Sequence, residues 1–133
     1  MKHVLVVEDD AHNAVLFRKL LERRAGCRVT VSEVADEILS LAFGGDVDLV
    51  IMDVSLANTR HAGRPVGGVE LTQMIKSDAR GVGVPIMLAT AHAMRGDAEK
   101  LLADSGADDY VSKPITNHAT FVQQVLGLLE EAA

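Results

Sequence analysis

Asp53 closes the run Asp48-Leu-Val-Ile-Met-Asp53, an acid at the end of a stretch otherwise suited to a buried strand. Burying a charge is costly unless it is paired, so a carboxylate in that place points to chemistry. Two other apolar runs end in groups that complement it. Val4-Leu-Val-Val-Glu-Asp-Asp10 closes on three acids, and Tyr110-Val-Ser-Lys-Pro114 closes on a cation. A fourth run, Ile86-Met-Leu-Ala-Thr90, ends in a hydroxyl. Brought together, these ends form an acidic site with a nucleophile and a counter-charge. Several carboxylates in one crevice repel each other unless a cation intervenes, and a hard cation such as Mg2+ needs only one or two protein carboxylates. Asp9 and Asp53 are the first choices as direct ligands, Glu8 acts through water, and Asp10 caps the helix that follows. Asp53 can also attack phosphorus to give an acyl phosphate, with Lys113 as a point charge for a phosphoryl oxygen and Thr90 as a donor.

Such convergence needs elements that present strand ends together. Apolar runs over residues 3–7, 28–32, 49–52, 85–89 and 109–111 read as strands. The first, third and fourth are nearly continuous in apolar residues, as in a parallel sheet buried on both faces. The second and fifth are weaker and suit edges. Helical patterns lie between them, over 11–25, 34–43, 67–78, 95–105 and 116–131. Leu16, Leu20 and Phe17, Leu21 fall at helical spacing in the first, and Phe121, Val125 and Leu128 in the last. Asp10 and Thr116 suit N-caps, and Gly26, Gly44 and Gly106 suit helix ends. Five strands alternating with five helices predict an α/β fold, a doubly wound parallel sheet of order 2-1-3-4-5. In that order the first and third strands adjoin at the switch point, where ligands bind beyond the carboxyl ends. Glu8, Asp9 and Asp53 converge there.

Composition narrows the class of function. At 133 residues the chain has the size of one domain. A net charge of -6 argues against nucleic acid as a direct partner, which needs a basic surface. The one cysteine, Cys27, cannot pair within the chain, which suits a reducing cytoplasm. No apolar run reaches the ~20 residues of a membrane span, and the acidic N-terminal region is unlike a signal peptide. The chain ends just after its last helical pattern, so no output domain is expected.

Taken together, Val-Val-Glu8-Asp9, Met-Asp53, Gly68-Val-Glu-Leu71, Ala89-Thr90-Ala91 and Ser112-Lys113-Pro114 resemble the receiver domain of two-component response regulators. The resemblance covers essentially the whole chain and implies a stand-alone regulator of the flavodoxin-like receiver fold. It implies that Asp53 is the phosphoacceptor, taking a phosphoryl group from a kinase phosphohistidine. Glu8, Asp9 and Asp53, with the main-chain carbonyl of Ser55, would hold Mg2+. Thr90 would contact the phosphoryl group, Ala91 would leave room for it, and Lys113 would pair with it. Tyr110 matches the switch aromatic, and the bond between Lys113 and Pro114 is expected to be cis. The implied partners are a sensor histidine kinase or a histidine phosphotransfer protein, and a downstream protein that reads the fourth helix, fifth strand and fifth helix. A homodimer through the first or fifth helix is compatible with the sequence.

Two departures stand out. Ala57 occupies the place where receivers usually carry Pro, and residues 58–66, Asn-Thr-Arg-His-Ala-Gly-Arg-Pro-Val, lengthen the loop so that Gly68 lies fifteen residues past Asp53. Arg60, His61 and Arg64 make this the most basic short stretch of an acidic chain. It is expected to touch a kinase or a second protomer, or to lid part of the site. His92, two residues past Thr90, is placed to reach attacking water. Two rival functions conflict with particular residues. An aspartyl phosphohydrolase needs a second carboxylate where Ser55 stands, and a receiver-like module that only binds partners would lack the acceptor, the acids or the lysine.

Overall fold

The computed structural model describes residues 1–91 and 96–131. Its central sheet comprises β1 (His3–Val7), β2 (Arg28–Ser32), β3 (Leu49–Asp53), β6 (Ile86–Thr90) and β7 (Asp109–Ser112). All neighbours are parallel, in the order β2-β1-β3-β6-β7. Omitting a small hairpin, β4 (Arg60–His61) and β5 (Arg64–Pro65), this is the doubly wound order 2-1-3-4-5. The helices are α1 (Ala11–Arg23), α2 (Ala35–Phe43), α3 (Gly68–Lys76), α4 (Asp97–Ser105) and α5 (His118–Glu131). The fourth helix, expected from residue 95, begins at Asp97 behind Gly96, whose φ of 98° is not helical, and Arg95 lies outside the described residues.

Continuous apolar strands are buried on both faces because successive side chains point to opposite sides. Val4, Val6, Leu49, Ile51 and Met87 meet Phe17 and Leu21 of α1 and Phe121 and Val125 of α5. The Phe17 and Phe121 rings lie 5.6 Å apart across that layer. The alternate residues Leu5, Val7, Val50, Met52 and Leu88 meet Ile38 of α2 and Leu71 and Ile75 of α3. Each such side chain contributes about 1.5–3 kcal/mol. The two half-cores pin the three central strands in register, with Val7 opposite Met52 and Asp53 opposite Ala89. One step beyond the Val7–Met52 pair, the chain reaches Glu8 on one strand and Asp53 on its neighbour.

Local signals set the helix ends. Asp10 caps α1 by accepting from Asn13 N at 3.0 Å. At α5 the cap is Asn117, which accepts from Thr120 N at 3.0 Å. The expectation of Thr116 was one residue early, and Asn is at least as good a cap as Thr. Gly106 ends α4 in the left-handed region (φ 82°). Gly44 follows α2 in an ordinary right-handed conformation, and the left-handed turn falls on Gly45 instead.

The long stretch after Asp53 folds rather than loops. β4 and β5 pair antiparallel around Ala62-Gly63, both at positive φ (52° and 80°), the geometry of a two-residue type I′ hairpin. Thr59 is buried beneath it and donates to the Glu33 carbonyl at 2.8 Å. Val66 N closes the base onto Thr59 O at 3.0 Å. On the far side, His61 Nδ1 lies 3.5 Å from Asp36 Oδ1 of α2. Among the described residues no helix is long and apolar enough to cross a membrane.

Gly68, the first residue of α3, sits against the strand that ends in Asp53. A Cβ there would lie 2.1 Å from the Asp53 carbonyl oxygen. Gly127, within α5, has open space around it. Gly68→Ala is therefore expected to lower the unfolding free energy by about 2–4 kcal/mol, and Gly127→Ala to raise it by about 0.5–1 kcal/mol. Urea denaturation of both variants checks this pair; equal effects would contradict the close approach.

Candidate functional site

The strand order reverses between β1 and β3, and the crevice beyond their carboxyl ends collects the chemistry-bearing groups. Glu8 and Asp9 follow β1, Asp53 ends β3, Thr90 ends β6, and Lys113 follows β7. Each side chain is thus delivered by an element whose own position is fixed by core packing.

Lys113 Nζ lies 3.0 Å from Asp53 Oδ1 and 3.2 Å from Glu8 Oε2. Both acids are nearly inaccessible, Asp53 at 2% and Glu8 at 4%, so this is a buried ion triad. Asp53 Oδ1 also accepts from Ser55 N at 3.0 Å, and Glu8 Oε1 from Asp10 N at 3.2 Å. Half-buried Asp9 is held from the opposite bank, where its Oδ2 accepts from Ala57 N at 2.8 Å. Proline at that position could not make this bond, having no N–H.

One oxygen from each of Glu8, Asp9 and Asp53 falls within 4.8 Å of the others. Two full charges at that separation repel by roughly 3–4 kcal/mol at an effective dielectric of about 20. Burial, and then the charge of Asp53, push the Glu8 carboxyl above its ordinary range, against the pull of Lys113. At Lys113 burial works to lower the pKa, but the Asp53 hydrogen bond and charge, followed by Glu8, hold it above the ordinary value. Among the described residues three carboxylates face one ammonium, so the described crevice is short of positive charge. Its donors are all oxygen, with no imidazole or thiol in the cluster, the set that hard divalent cations such as Mg2+ prefer. The residues present fit such an ion.

The other residues singled out from the sequence take varied places. Thr90 is buried, and its carbonyl accepts from Lys113 N at 2.9 Å. Ala91 is exposed, and His92 lies outside the described residues. Tyr110 is half-buried against the core layer that includes Leu101 and Ala107. Gln124 Nε2 of α5 donates to its carbonyl at 3.1 Å, and also lies 3.2 Å from Asp109 Oδ2. The Lys113–Pro114 bond is cis. Among the described residues, no hydrogen bond joins the hairpin to Glu8, Asp9 or Asp53. Sequence reasoning singled out Ala57 only as a departure from an expected proline and missed the part played by its backbone N–H. The signal was present in the replacement of an expected imino acid by a residue that carries an N–H.

Comparison with known proteins agrees with this geometry. Residues 4–125 match the family model of the response regulator receiver domain. The chain is 34% identical over 131 residues to the polar-differentiation response regulator DivK of Brucella ovis, covering 98% of each chain. The DivK of Brucella melitensis shows the same identity and coverage. Among solved structures, the receiver domain of a sensor histidine kinase from Pseudomonas aeruginosa has a magnesium ion coordinated in its active site cleft. It is 28% identical, with a TM-score of 0.79 over 97% of this chain and 98% of that one. A CheY-like receiver domain protein from Methanospirillum hungatei shares the fold at 23% identity, with a TM-score of 0.78 over 99% of this chain and 96% of that one. A doubly wound sheet with its acids and lysine at the switch point, matched along nearly the whole chain by these relatives, makes the protein a member of the response regulator receiver domain family.

Proposed function

We propose that this chain is a signalling protein that accepts a phosphoryl group on Asp53 in a Mg2+-dependent reaction and either switches a partner-binding surface or relays the group onward. The observation that carries this reading is the setting of Asp53. It is a buried carboxylate at a strand end, oriented by Lys113 and the Ser55 N–H, with two further acids within 4.8 Å. The phosphohistidine of a sensor histidine kinase or a histidine phosphotransfer protein supplies the group. A carboxylate oxygen of Asp53 attacks phosphorus, and a P–O bond forms as the P–N bond breaks. The electron pair stays on the imidazole nitrogen, which regains its proton from solvent. Glu8, Asp9 and Asp53, with the Ser55 main-chain carbonyl, would hold Mg2+, whose chemistry when bound is to neutralise charge on the phosphoryl oxygens.

The chain's own residues do the rest. Lys113, already fixed beside Asp53, pairs with a phosphoryl oxygen once the group is in place. Thr90 donates to another, and Ala91 leaves room; a role for His92 in the lifetime of the phosphoryl group rests on its sequence position alone. Tyr110 changes its packing as Thr90 moves, which alters the face of α4, β7 and α5 read by a downstream protein. This is a population shift, biased by phosphoryl contacts that exist in only one arrangement. A stand-alone regulator in the cytoplasm suits the match to DivK along 98% of both chains. Such a protein assists its own phosphorylation and turns over no separate substrate.

Three outcomes are expected. Incubation with Mg2+ and acetyl phosphate adds one phosphoryl group by intact mass, and the adduct disappears in Asp53→Asn or on chelation. An adduct that survives in Asp53→Asn would remove Asp53 from its role. Lys113→Met leaves the buried acids uncompensated and lowers stability by about 2–4 kcal/mol without metal. Saturating Mg2+ then restores much of that loss in thermal melts. Ala57→Pro removes the donor to Asp9 and weakens Mg2+ affinity by about tenfold, while Ala57→Ser keeps the N–H and the affinity. Calorimetric titration separates them, and equal affinity in all three proteins would show that the bond does not position Asp9.

A further inference from the structure

The hairpin β4–β5 creates a surface that the phosphoryl chemistry does not use. Its base is tied down by Thr59 to Glu33 and closed by Val66 on Thr59, and His61 leans toward Asp36 of α2. Held on that side, the hairpin stands away from α3 and leaves a groove of about 720 Å3 between them. His61, Arg64 and Val66 line one wall, and Glu70, Gln73 and Met74 of α3 line the other. The volume falls within the range of real binding clefts. Val66 and Met74 give it an apolar floor, since both are partly buried against the core.

Charge says what it would take. The segment from Ala57 to Gly67 carries Arg60, His61 and Arg64 and no acid, in a chain of net charge -6. Both arginines are exposed. Arg60 reaches only the Gly63 carbonyl, at 3.4 Å, and among the described residues neither arginine has an acidic partner. By contrast, Arg28, Lys76, Arg80 and Lys113 are all in ion pairs. An open guanidinium is a preorganised fork for a carboxylate, and arginine and methionine are enriched in protein interfaces. The tethered hairpin fixes the backbone that carries these forks, which reduces the ordering cost of binding.

We infer that the groove between the β4–β5 hairpin and α3 docks an acidic segment of a partner protein. An apolar residue of that segment rests on Val66 and Met74, and its carboxylates reach Arg60 and Arg64. Glu70, on the α3 wall, sets the orientation by repelling carboxylates toward the hairpin side. Pro65 has no N–H to offer an added strand, so recognition runs through side chains. A nucleic acid is a poorer occupant, because Glu70 and the net charge both oppose a phosphate polymer. The surface is separate from Asp53 and does not depend on its phosphorylation.

The test is selection from a random peptide display library against the purified full chain, followed by binding measurements on the enriched peptides. Enriched sequences should combine acidic residues with an apolar anchor. Their affinity should fall about tenfold or more in Arg60→Gln/Arg64→Gln, and further in Arg60→Glu/Arg64→Glu, while the thermal midpoint and acetyl phosphate labelling stay unchanged. Backbone NMR shifts should cluster on Val66, Gln73 and Met74. The inference is overturned if nothing is enriched, if the enriched peptides are not acidic, or if the double variants bind them equally well. It is also overturned if the arginines prove to hold a second copy of the chain, seen as a dimer that the double variants dissolve, or if an oligonucleotide binds in place of the peptides.

Discussion

One ammonium group holds the crevice together. Lys113 lies within hydrogen-bond reach of both Asp53 and Glu8, and without it two buried carboxylates would face each other across adjacent strands with no cation between them. The whole sheet is arranged to keep that triad in place. β1 and β3 must adjoin for the acids to converge, and Lys113, just past β7 at the edge, must reach beyond β6 to meet Asp53. The two half-cores on either face fix those positions with apolar packing, which has no stake in the chemistry. Burial of the acids is thus a by-product of the same sheet that places them.

The triad balances its charges only in part. Asp9 adds a third carboxylate with no ammonium partner among the described residues, and its restraint comes from a neutral donor, the Ala57 N–H. A neutral donor fixes geometry without cancelling charge. The crevice therefore combines well-held oxygens with a residual negative field, a setting that favours a small positive charge among them. Burial first, and then the neighbouring charge of Asp53, raise the Glu8 carboxyl above its ordinary range.

Much of this was legible in the sequence because the main signals were strong and local. Unbroken apolar runs mark the three central strands and place Glu8 and Asp53 at the ends of two of them, while Lys113 follows the weaker run at the sheet edge. Where the reading fell short, the physics was either degenerate or carried by the backbone. Thr116 and Asn117 both have capping side chains, and only the start of α5 decides between them. The hairpin escaped notice because its turn is Ala-Gly. Alanine is rarely found at positive φ, and the usual Asn-Gly or Asp-Gly signal is missing. The bond from Ala57 to Asp9 uses no side chain of Ala57, so residue chemistry alone does not disclose it.

The stretch after Asp53 is anchored at both ends. Ala57 N is held by Asp9, and Gly68 N donates to Val54 O at 3.3 Å while α3 presses on the Asp53 carbonyl. Everything between those anchors can change in length and shape without moving Asp53. The hairpin is in that sense an interchangeable cassette. A different element placed between the same anchors would leave the carboxylate crevice beside it unchanged.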